Sequence, residues 1–126
     1  MQKKVTELYV VDAMSFTEAE ARIMEEMSSY ISGEFEVVEI DRCMFKEVFF
    51  SDEQMADRWY KSKLQFVTID EKTEKEKRAT VYYLVLGSTL ENARKNIDEV
   101  MGKSMIDYII SSVSETKIMD VFEHKK

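Results

Sequence analysis

The sequence predicts an α+β fold: an antiparallel-dominated sheet with two helices on one face, built from two repeated (strand)-strand-helix-strand-strand units. Three observations lead there. Two stretches match without gaps at an offset of 74 residues, with Thr6–Val11 against Thr80–Val85 and Ser15, Ala19, Ile23, Glu25, Met27 against Thr89, Ala93, Ile97, Glu99, Met101. A third stretch, offset by 73, sets Glu47, Val48 and Phe49 against Asp120, Val121 and Phe122. Within each half the apolar period switches from two to about 3.6, which is the change from strand to helix. One domain is expected over residues 1–126, with repeat 1 at about 1–50 and repeat 2 at about 58–122.

In repeat 1, Val5, Tyr9 and Val11 alternate with Thr6, Leu8 and Val10 in a run of β-branched and aromatic residues, so a strand with one buried face is predicted. Ser15 followed by Glu18 forms a capping box and starts a helix. Ala19, Ile23, Met27, Tyr30 and Ile31 fall on one face of it. Gly33 is placed to close that helix in the left-handed conformation, after which 35–40 and 44–49 read as strands.

Repeat 2 follows the same order. Thr80–Leu86 reads as a strand, Leu90 to about Tyr108 as a helix that Gly102 could divide, and Ile109–Val113 and Lys117–Phe122 as strands. Its cap is either Ser88, which forms a capping box with Glu91, or Thr89, the equivalent of Ser15. Repeat 2 also has a long strand, Trp59–Ile69, joined to the next by the charged loop 70–78. Symmetry places a corresponding strand ahead of Val5. An open sheet edge there leads to two expectations, dimerisation through that edge or a start codon assigned too far downstream.

Composition narrows the partners. A formal charge of −7 opposes non-specific binding to double-stranded DNA, whose affinity comes from cations displacing counterions. No apolar run reaches the roughly 18 residues that cross a bilayer, and no secretory leader is apparent, so no membrane is expected and a cytoplasmic location is. Cys43 is the only cysteine and His124 the only histidine, which leaves neither a disulfide nor a zinc-ligand set. Cys43 beside Arg42 reads as a small apolar filler rather than a thiolate nucleophile. The repeat-equivalent Glu25 and Glu99 read as a solvated helix face, and no loop gathers carboxylates for a metal, so no cofactor is expected.

The strand from Trp59 carries the candidate ligand-binding residues. Trp59, Lys61 and Lys63 share one face, opposite Tyr60, Leu64 and Phe66, and an indole beside two ammonium groups could stack a base or hold an anion.

The blocks 5–13, 15–21, Phe49-Phe50-Ser51-Asp52, Asp57-Arg58-Trp59-Tyr60-Lys61 and Ser112-Val113-Ser114-Glu115-Thr116 resemble, in order and over essentially the whole chain, an uncharacterised domain-of-unknown-function family of anaerobic gut bacteria and their phages. The resemblance implies an accessory role without assigning an activity. It also implies an aromatic and basic strand ahead of the position of Met1. The resulting expectation is a non-enzymatic protein-interaction module that binds a protein partner and forms a homo-oligomer in a phage or mobile-element setting. The alternatives are capture of a nucleotide-like or single-stranded nucleic-acid ligand by Trp59, Lys61 and Lys63, and, more remotely, a metal-dependent enzyme.

Overall fold

The computed structural model describes residues 6–29, 31, 33 and 35–123. The strand expected ahead of Val5, Val5 itself, Tyr30 and His124 lie outside them. The order of elements is β1 (Leu8–Val11), α1 (Phe16–Ser28), β2 (Phe45–Phe49), β3 (Arg58–Ile69), β4 (Glu76–Gly87), α2 (Leu90–Met101), β5 (Asp107–Glu115) and β6 (Ile118–Phe122). This is an α+β fold.

The chain divides into two compact units that do not coincide with the two repeats. Unit 1 is 1–43 with 118–126, and unit 2 is 44–117. Unit 1 holds a two-stranded parallel sheet of β1 and β6; unit 2 holds a mixed four-stranded sheet in the order β2-β4-β3-β5. Each unit takes its leading strand and helix from one repeat and its parallel closing strand from the other.

The registers prove the exchange to be reciprocal. In unit 1, Leu8 lies against Ile118, Tyr9 against Asp120, Val10 against Val121 and Val11 against Phe122. In unit 2, Tyr82 lies against Phe45, Tyr83 against Glu47, Leu84 against Val48 and Val85 against Phe49. Offsets of 74 and 73 turn one list into the other, including the irregularity after the first pair. Even the aromatic stack recurs, with Tyr9 on Phe122 at 5.8 Å between centroids and Tyr83 on Phe49 at 4.7 Å.

The helix starts repeat as well. Ser15 Oγ accepts from the Glu18 amide at 3.1 Å and Glu18 Oε2 accepts from the Met14 amide at 3.2 Å. In α2, Thr89 Oγ1 accepts from the Asn92 amide at 3.0 Å and Asn92 Oδ1 from the Ser88 amide at 3.0 Å. Thr89 is therefore the cap, and the choice between it and Ser88 falls to the repeat equivalent. Two amides that the helix itself leaves free are satisfied at each start.

Three expectations are corrected. α2 ends at Met101 rather than near Tyr108, because Gly102 caps it and the chain turns before β5. Gly33 does not take a positive φ, so α1 does not close by a left-handed glycine. Residues 35–40 are not a strand, although their neighbours 45–49 are.

The core of unit 2 lies between α2 and its sheet. Tyr60, Leu64, Tyr83, Val85 and Phe49 pack against Ala93, Ile97 and Met101, with Leu64, Val85, Ala93 and Ile97 completely buried. Burying apolar area at about 25 cal/mol per Å² is the main force holding this layer pair together. Ser62 shares the helix-facing side of β3 with Tyr60 and Leu64, is fully buried, and its hydroxyl has no hydrogen-bond partner. An unpaired hydroxyl there costs about 1–3 kcal/mol of desolvation. Ser62→Ala should raise the stability of the chain by about 1 kcal/mol in urea titration. A loss of similar size would show that the hydroxyl has a partner.

Candidate functional site

β3 positions the three residues singled out from the sequence. Trp59 is 4% exposed, with its ring edge-on to Phe50 at 5.6 Å. Its carbonyl accepts from the Thr116 amide at 2.9 Å and hydroxyl at 2.8 Å, which ties the start of β3 to the end of β5. The indole is thus committed to packing and offers no open face on which a base could stack. Lys61 and Lys63 are half-buried on the same side of the sheet. The aromatic ring they adjoin is Tyr82. Lys61 Nζ stands 5.0 Å from its centroid, and Lys63 is its cross-strand neighbour. Alternation put Trp59 and the lysines on one side, but the β3–β4 register was needed to bring Tyr82 between them.

A cleft of about 340 Å³ lies beside α2, between residues 50–53 and the helix flank formed by Asn92, Lys95, Asn96 and Glu99. Both of its asparagines are engaged. Asn92 Nδ2 donates to Glu53 Oε2 at 2.7 Å, and Asn96 Nδ2 donates to the carbonyls of Phe50 at 3.2 Å and Leu86 at 3.1 Å. The asparagines fasten the loop after β2 to the helix and to the end of β4. Arg22 does the same in unit 1: it occupies the place of Asn96, donates to the carbonyl of Glu123, the equivalent of Phe50, and pairs with Glu26 at 2.9 Å. Among the described residues no group of three or more His, Cys, Asp or Glu is placed to hold a metal. Glu25 and Glu99 are exposed, as is Cys43.

The remaining feature is an edge. In unit 2, β4 is paired on both sides, by β2 in parallel and by β3 antiparallel. Its equivalent in unit 1, β1, is paired only by β6 among the described residues. Among the described residues, one row of backbone donors and acceptors of β1 therefore has no strand partner, which is the condition for strand addition.

Tyr9 of β1 reports on this region. Burial first, then its hydrogen bond to Glu7 and the negative charges of Glu7 and Asp120, push the phenol up to about 12. The fold favours the neutral ring, so its contribution is complete below pH about 10 and is lost as pH rises through about 12. Stability should fall across that window. Tyr9→Phe should flatten the fall, with Tyr83 and Tyr108, also raised, supplying the remainder. An identical slope in the variant would contradict this assignment.

Fold and edge together define a duplicated α+β protein in which β1, among the described residues, has a strand on one side. The chain belongs to the family described as Domain of unknown function (DUF4494), whose model matches residues 1–124. Neither the curated proteins nor the solved structures contain a match. No described helix is long and apolar enough to cross a membrane.

Proposed function

We propose that this protein is a non-enzymatic interaction module that binds a protein partner by strand addition at the open edge of β1. The observation that carries this reading is the unequal treatment of two equivalent strands: among the described residues β4 has neighbours on both sides and β1 on one. Backbone pairing along such an edge supplies affinity, while alternate side chains supply selectivity. The family resemblance makes phage or mobile-element proteins the first place to look for the partner.

Ligand capture at Trp59, Lys61 and Lys63 draws less support, because the indole is buried while the lysines flank Tyr82. Native mass spectrometry of the protein purified gently from its own cells separates the two. An interaction module gives a species heavier than the 14.8 kDa chain by the mass of a polypeptide. A bare monomer, or one retaining a nucleotide-sized adduct, would overturn the module.

A further inference from the structure

Acidic side chains outnumber basic ones in this chain by 25 to 18, so a cation has no shortage of counter-charges. Three basic residues among the described ones are nonetheless withdrawn from the surface: Arg22, Lys61 and Lys63 are half-buried, and every other is exposed. Arg22 meets Glu26 at 2.9 Å. Lys61 and Lys63 have no carboxylate at ion-pair distance among the described residues. Taking an ammonium group partly out of water without a counter-charge is unfavourable, and the face of Tyr82, 5.0 Å from Lys61 Nζ, offsets this only in part. Unit 2 therefore holds two cations whose surroundings are incomplete.

The strand register fixes what lies around them. Both lysines are on the side of β3 turned away from α2, because Tyr60 and Leu64, which alternate with them, pack in the cluster that holds Ala93 and Ile97. Lys61 stands between Leu84 of β4 and Ser114 of β5, and Lys63 between Tyr82 and Ser112. Neither row contains a carboxylate, and both serines are exposed, so the β5 flank of the two lysines is open. Next along the same side, Gln65 lies opposite Ile109, which is 40% exposed. At about 3.3 Å per residue, the two lysines are about 6.6 Å apart along the strand.

These surroundings also narrow the anion. A nucleotide base needs a free aromatic face, yet Trp59 is buried and Tyr82 already has the Lys61 ammonium over it. A nucleic-acid strand brings a charge on every nucleotide toward a chain of net charge −7, whereas a peptide can confine its charges to two positions. The side chains of an extended peptide return to one side every second residue, which is the same spacing of about 6.6 Å. Two alternate carboxylates therefore reach both ammonium groups. An apolar residue at the next alternate position beyond Lys63 then reaches Ile109.

We propose that the side of β3 turned away from α2 is a docking site for an extended acidic segment of a protein partner, with Lys61 and Lys63 pairing its alternate carboxylates and Ile109 receiving the neighbouring apolar side chain. The site rests on the interaction-module reading in taking the partner to be a protein, but it belongs to unit 2 and does not depend on strand addition at β1. Docking supplies the half-buried lysines with the counter-charges that the described fold does not.

The probe is a capped synthetic peptide, Ser-Glu-Thr-Glu-Thr-Leu-Ser, titrated into the full isotope-labelled chain and followed by backbone amide shifts. The shifts should concentrate at 61, 63, 109, 112 and 114, and the affinity should fall as salt is raised. The same peptide with glutamine in place of both glutamates should bind at least about fivefold more weakly at low salt. Lys61→Gln combined with Lys63→Gln should weaken binding to the same degree, while Lys103→Gln, exposed in the same unit, leaves it unchanged. If the double variant unfolds, the glutamine peptide decides the matter on the unaltered chain. Equal binding of the two peptides, absence of binding at millimolar peptide, or shifts confined to other segments overturns the site. So does a single-stranded oligonucleotide that moves the same amides at lower concentration than the peptide, or a dimer of the chain alone that salt and the double variant dissociate, which would give the surface to a second copy. A polypeptide-bearing complex in native mass spectrometry alongside any of these failures removes this site and leaves the interaction module standing.

Discussion

Ile97→Ala is expected to lower stability by about 2–5 kcal/mol, whereas Ile23→Ala at the equivalent position should cost about 1 kcal/mol or less. The two isoleucines occupy the same turn of duplicated helices, so helix propensity is the same for both. Their surroundings differ. Ile97 is completely buried in the cluster that includes Tyr60 and Leu64, and removing its side chain leaves a cavity that this packed layer cannot readily fill. Ile23 is already partly in contact with water, so truncation loses less buried area and opens no closed void. Urea titration of both variants measures the difference. Equal losses would mean that unit 1 is as well covered as unit 2.

Gly87→Ala should destabilise the chain by about 1–3 kcal/mol, the usual cost of forcing an extra methyl group into a closed contact. A Cβ at Gly87 would lie 2.9 Å from both the Cα and the backbone nitrogen of Ala93 and 3.0 Å from its Cβ. The atoms in the way belong to the backbone of α2, so relief requires the helix to move off the end of β4. Its φ is not positive, hence the glycine serves close approach rather than an unusual backbone conformation. Ala93→Gly in the same chain should restore little, since the backbone contacts remain. A Gly87→Ala protein as stable as the parent would show that α2 does not sit this close to the strand.

Much of this architecture is legible in the sequence because it is written twice. The matches of Ser15 with Thr89 and of Ala19, Ile23 and Met27 with Ala93, Ile97 and Met101 locate two helices, their caps and their inward faces. What escapes is whatever depends on a partner strand. Residues 35–40 have strand-forming composition and the burial pattern of β5, yet a strand exists only when its hydrogen bonds are met by a neighbour. The exchange of β2 and β6 between the units is silent for a related reason. Glu47-Val48-Phe49 and Asp120-Val121-Phe122 are so alike that either could close either sheet. Trp59 shows the limit of alternation, which sorts residues by side without saying which side of the sheet is covered.

Amide hydrogen exchange tests the central claim, that the described residues of unit 1 repeat β4, α2 and β2 but pair 35–40 with no strand. The amides of 35–40 should exchange far faster than those of β5 that bond to β3, although both segments have the same pattern of exposure. Protection at 35–40 equal to that in β5, in a chain shown to be monomeric and free of any partner, would mean that the segment is already paired.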